Sequence, residues 1–241
     1  MKLNCDLGES FGQWQMGLDQ HVMPHIDMAN IACGFHAGDA DVIAATLKLA
    51  KQHNVTIGAH PSYPDKQGFG RRSMAMDASE LYHCLHYQIA ALAGMANVHG
   101  LSLSYVKPHG ALYNDMMKNK DILHTVMQSV ADYPLPLELM LLATQSATQH
   151  QKQARALGLT VIFEAFADRQ YTDEGNLVPR SQSGSVLNKT ALLAQVTQLA
   201  KDGTVTTQSG NILTLNADSL CVHGDNHAAI NLIQEIKALC Q

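Results

Sequence analysis

The chain of 241 residues contains no apolar run approaching the roughly 20 residues that a membrane-spanning helix needs. Its opening residues, Met1-Lys2-Leu3-Asn4-Cys5-Asp6, lack the apolar stretch of a signal peptide, so a soluble, cytoplasmic protein without a membrane partner is expected. Charge is also sparse: 15% of residues are charged and the net charge is −5, which argues against nucleic acid as a partner. The five cysteines, Cys5, Cys33, Cys84, Cys221 and Cys240, include no Cys-x-x-Cys pair. Most of them lie in apolar runs, which favours small, buried, reduced thiols over a catalytic nucleophile. Several signatures are missing as well. No G-x-G-x-x-G follows the first strand, so the dinucleotide-binding open sheet loses ground. No G-x-x-x-x-G-K-[ST] occurs, so any nucleotide must bind without a Walker loop. No G-x-S-x-G elbow occurs, so activated water is favoured over an acyl-enzyme, and no H-E-x-x-H marks a zinc site.

What is present is 46% hydrophobic sequence, 13 histidines and a repeated rhythm of short apolar run, polar turn and longer helical segment. Residues 1–241 are expected to form a single (β/α) barrel domain. Predicted strands cover 3–6, 27–33, 56–60, 104–107, 138–143, 160–164 and 219–223, short and unalternated as strands covered on both faces should be. Predicted helices cover 39–53, 79–97, 115–131, 145–157, 189–201 and 227–239, with Asp77 or Ser79 as an N-cap and Gly158 and Gly203 just past two helix ends. About seven β-then-α units imply parallel strands with right-handed crossovers. Polar residues at nearly every strand end favour an irregular TIM-like barrel over an open sheet. Residues 204–215 alternate like a β-hairpin around Ser209-Gly210-Asn211.

Parallel strands place their C-terminal ends on one face, and six of these ends carry ionisable residues beside Gly or Pro. Convergent titratable groups are the usual mark of an active site. Asp6, Glu9 and Asp168 are candidates to activate water, and His60 and His109 to move protons. Lys107 and Arg169 are candidates to hold an oxyanion or substrate carboxylate. His36, Arg71, Arg72, Asn114, Glu164, Arg180, His223 and Asp225 are candidate substrate- or phosphate-binding residues, and the loop 68–72 a candidate anion cradle. Asp6, His36, His60 and His109 are also types that bind zinc or manganese. A divalent metal and histidines that only hydrogen-bond substrate both remain open. Trp14 either caps the pocket or packs under a loop, and Met116, Met117 and Met127 read as helix packing.

Seven strings occur in order: N-x-D-x-G-E-S-F-G, N-I-A-C-G-F-H-A-G-D, G-A-H-P-S-Y-P-D with G-F-G-R-R, V-K-P-H-G-A-L-Y-N, E-A-F-A-D-R-x-Y, L-V-P-R and V-H-G-D. Together they resemble the LamB/YcsF family over nearly the whole chain. The resemblance implies a barrel related to sugar-deacetylase and glycoside-hydrolase barrels. It further implies ATP as co-substrate and hydrolytic opening of the lactam of 5-oxo-L-proline to L-glutamate, in complex with two partner subunits, B and C. Two other readings compete: a metal-dependent amidase or deacetylase working without ATP, and a non-catalytic subunit that only binds substrate.

Overall fold

The computed structural model describes residues 1–222 and 231–240. Its barrel strands are β1 (Lys2–Leu7), β2 (Met28–Ala32), β3 (Thr56–His60), β4 (Tyr105–Val106), β5 (Glu138–Leu142) and β6 (Val161–Phe166). A two-stranded antiparallel excursion follows, β7 (Thr204–Thr206) with β8 (Ile212–Thr214), before the last barrel strand, β9 (Ser219–Val222). All seven barrel strands are parallel, and β9 pairs with both β6 and β1, which closes the barrel. The expected closed topology and the expected hairpin are both present. Short α1 (Asp19–Val22) lies between β1 and β2, and α2 (Ala40–His53) and α3 (Ala78–Val98) follow β2 and β3.

Local sequence explains the helix starts. Asp39 accepts from the backbone N–H groups of Asp41 and Val42 at the head of α2. Asp77 and Glu80 form a reciprocal capping box at the head of α3. Asp77→Ala should therefore cost about 1 kcal/mol, read as a lower urea midpoint with an unchanged slope. One expectation fails. Residues 115–131 are not one helix but parts of two, α4 (Gly110–Lys118) and α5 (Lys120–Ala131). Asn119, at φ −121° and ψ 113°, leaves helical geometry and turns its side chain to accept from Asp121 and Ile122 N–H. An asparagine that can cap a new helix competes with continuing the old one. Then come α6 (Ala147–Ala156), α7 (Lys189–Asp202) and α8 (Ile233–Cys240). The predicted start of the last helix, near 227, lies outside the described residues.

The core between barrel and helices is aliphatic, with Leu3, Leu7, Ile31, Leu47, Ile57, Leu85 and Ile89 nearly inaccessible. Each such side chain stabilises the fold by about 1.5–3 kcal/mol. The barrel interior differs by level. Met28, Tyr105 and Met140 plug one end. Gly58 leaves the Tyr105 ring its space, since a Cβ there would sit 2.3 Å from a ring carbon. Above this plug the interior becomes polar, with Asn4, Asn30, Glu164 and Ser219 all fully buried.

Candidate active site

Polar side chains inside a barrel persist chiefly by satisfying one another, and here most of them do so in a ladder. Tyr105 Oη donates to Asn30 Oδ1 at 2.6 Å. Asn30 Nδ2 donates to Asn4 Oδ1 at 2.8 Å and to Asp6 Oδ1 at 2.7 Å. Asn4 Nδ2 donates to Ser219 Oγ at 2.8 Å. At the top stands Lys107, buried, with its Nζ 2.9 Å from Asp6 Oδ1 and 3.1 Å from Glu164 Oε2. Burial opposes the ammonium, but the adjacent Asp6 carboxylate, with that of Glu164, holds Lys107 well above the ordinary lysine range. Lys107 is thus a fixed cation rather than a base. Cys221 Sγ lies 3.1 Å from Lys107 Nζ, and burial pushes its thiol well up. All five cysteines are free: Cys5, Cys33, Cys221 and Cys240 are buried, and Cys84 is half-buried.

Four further side chains cluster beside this ladder. The β1 end turns at Gly8, whose N–H is held by Asp19 Oδ2 at 2.9 Å, and delivers Glu9. His36 reaches Glu9 from the loop after β2, Nε2 to Oε1 at 3.2 Å, and lies parallel to His109 with ring centroids 3.8 Å apart. His60, ending β3, places Nε2 2.9 Å from His109 Nδ1 and 3.4 Å from Asp6 Oδ2. Burial drives His36 and His109 well below the ordinary histidine range, so both are neutral. Glu9, His36, His60 and His109 offer ligand atoms that all lie within 4.8 Å of one another. This group takes in Glu9 where Asp6 was expected; Asp6 Oδ1 meets Lys107 and Asn30, while its Oδ2 lies 3.4 Å from His60 Nε2.

These groups open into a cleft of about 340 Å³ lined by Asp6, His60, Lys107, His109, Tyr113 and Phe166, with Arg71, Asn114, Lys118, Arg169 and Arg180 also at its wall. That volume is at the low end for small-molecule pockets. Four candidates do different work from that expected. Arg72 is exposed and clamps Asp65, its Nε 3.0 Å from Asp65 Oδ1, instead of facing the cleft. Arg169 directs its guanidinium at the carbonyls of Val178, 2.6 Å away, and Ser185, which ties down the 169–187 excursion, and burial lowers it to about 10. Asp168 is fully buried and off the cleft wall, so it is poorly placed to reach water. The 68–72 loop is no anion cradle, because its amides are already used: Gly68 and Arg72 donate to the Asp65 carboxylate, and Phe69, Gly70 and Arg71 to loop carbonyls. His223 and Asp225 lie outside the described residues. Trp14 is half exposed and meets Phe69 edge-on at 6.0 Å, and Met116 and Met127 are buried helix packing.

The LamB/YcsF family model matches residues 1–241. The chain belongs to that family. Among its LamB/YcsF relatives, the 5-oxoprolinase A subunit of Vibrio cholerae serotype O1 is 52% identical over 239 residues, covering 99% of this chain and 96% of the relative. The 5-oxoprolinase A subunit of Pseudomonas fluorescens is 51% identical, covering 98% and 94%. The crystal structure of a lactam utilization protein from Thermus thermophilus superposes with a TM-score of 0.89 at 35% identity, covering 99% of this chain and 95% of that one.

Sequence reasoning about this LamB/YcsF barrel missed Asn4, Asn30, Tyr105, Ser219 and the polar contact of Cys221. A signal existed. Asn4 and Asp6, and Met28 and Asn30, are spaced by two within β1 and β2, which puts both members of each pair on one face of the strand.

Proposed function

We propose that this chain is one subunit of a 5-oxoprolinase and opens the lactam of 5-oxo-L-proline to L-glutamate, with ATP as co-substrate and B and C subunits as partners. The relatives' names support the substrate. The observation that carries the reading is Lys107, a buried ammonium on the cleft wall held between two carboxylates, whose positive charge would stabilise an oxygen gaining negative charge beside it. One well-placed donor of this kind contributes about 3–4 kcal/mol to such a transition state.

The chemistry needs activation, because an ordinary amide resists water. The lactam oxygen attacks the γ-phosphorus of ATP and ADP leaves, which makes C5 an imidate-like electrophile. Water adds to C5, giving its proton to Asp6, and the C–N bond breaks as the nitrogen takes up a proton. The γ-glutamyl phosphate left behind is hydrolysed by a second water to glutamate and phosphate. Arg71 and Arg180, with Lys118, bring positive charge to the cleft wall, which suits a phosphate and the substrate carboxylate. Among the described residues no helix is long and apolar enough to cross a membrane.

The test is glutamate release from 5-oxoproline with this chain, its two partner subunits and ATP. Omitting ATP, or this chain, should reduce it to background. Release by this chain with a divalent metal and no ATP would overturn the proposal. It would establish instead the amidase reading, which the Glu9–histidine cluster favours.

A further inference from the structure

The protons of two clustered histidines are fixed by backbone carbonyls, which can only accept. His60 Nδ1 is 2.6 Å from the Lys107 carbonyl oxygen, so Nδ1 carries the hydrogen and Nε2 presents a lone pair. His109 Nε2 is 2.9 Å from the Phe69 carbonyl oxygen, so its Nδ1 presents a lone pair. These two lone pairs meet head-on across 2.9 Å. Carboxylate oxygens stand on both sides: Glu9 Oε1 is 3.6 Å from His109 Nδ1, and Asp6 Oδ2 is 3.4 Å from His60 Nε2. Acceptors converging on one point repel unless a cation lies among them. A single proton bridges one pair of them, whereas a divalent ion satisfies several at once.

We propose that Glu9, His60 and His109 bind one divalent transition-metal ion, of the zinc or manganese class. Tetrahedral ligands at zinc–nitrogen and zinc–oxygen distances lie about 3.3 Å apart, and the 2.9 and 3.6 Å separations bracket that value. His60 and His109 each have their far nitrogen hydrogen-bonded to a carbonyl, the arrangement that orients an imidazole toward a metal. His36 is a positioning residue rather than a ligand. Its ring is within 5° of parallel to His109 and lies directly against it, so the two rings cannot both aim in-plane lone pairs at one ion. Its Nε2–H instead donates to Glu9 and fixes the carboxylate. On the lactam-opening reading, an ion here would acidify a water molecule beside Asp6. The binding itself does not depend on that reading.

Chelator-treated protein titrated with Zn²⁺ in a calorimeter, and with Co²⁺ followed by visible absorption, tests the site. One ion per chain is expected, with binding weakened at least ~100-fold in His60→Ala, His109→Ala and Glu9→Gln, and about tenfold in His36→Asn. Failure of the native chain to bind, or unchanged affinity in both His60→Ala and His109→Ala, would overturn the proposal. Should those variants not fold, X-ray absorption of the zinc-loaded native chain decides. Two imidazoles with oxygen ligands support the site, and fewer than two overturn it. Because metal binding is read without turnover, its loss is separable from failure of the oxoprolinase reading.

Discussion

Lys107→Met should remove activity and much of the folding stability together. The ammonium lies between Asp6 and Glu164, both nearly inaccessible, and its loss strands two carboxylates inside the barrel. Breaking a buried ion pair from one side costs about 3–5 kcal/mol, a large share of the roughly 5–15 kcal/mol that holds a typical domain together. Turnover should fall about 10²–10³-fold for the lost oxyanion donor alone. Urea denaturation and glutamate release measure the two effects separately. Adding Glu164→Gln should return part of the stability, because one stranded charge disappears, and none of the activity. Recovery of both would mean that Lys107 is only a structural counter-charge.

Gly110→Ala is expected to damage the site through the backbone. Gly110 begins α4 at φ +58°, a region that costs a non-glycine residue about 1–2 kcal/mol. A Cβ there would also sit 2.5 Å from the Gly70 carbonyl oxygen, which accepts from Ala111 N–H and has no rotamer in which to escape. The 68–72 loop must shift. It carries the Phe69 carbonyl that sets the His109 tautomer, so the lone pair facing His60 is lost with it. Misplacement of reacting groups by about 1 Å costs roughly 100-fold in rate, and kcat/KM should fall by that order. A fully active, equally stable variant would show that the loop does not position His109.

The barrel was legible because its strands read as short apolar runs between amphipathic helices, and β3 was bounded to the residue, Thr56–His60. The cluster of Asp6, Glu9, His60, Lys107 and His109 was legible for a topological reason: parallel strands bring their C-terminal ends together whatever the register. Individual roles were not legible, because they depend on which groups come within hydrogen-bond reach of one another. Arg71 and Arg72 are adjacent in sequence, yet one lines the cleft and the other clamps Asp65. Asp168 and Arg169 follow a strand end as the others do, but the chain turns there and buries the acid. The break at Asn119 escaped because apolar periodicity resumes on both sides of it, and only the asparagine's capping ability marks the boundary.

The plug of Met28, Tyr105 and Met140 gives the barrel one doorway. Whatever enters the cleft leaves by the same face, since three side chains at most 2% exposed seal the far end. Reactants and products therefore queue at a shared entrance, and no intermediate can pass through the barrel to a protein docked behind it. Any hand-over between subunits has to happen at the strand-end face, where a docked neighbour would control arrival and departure alike.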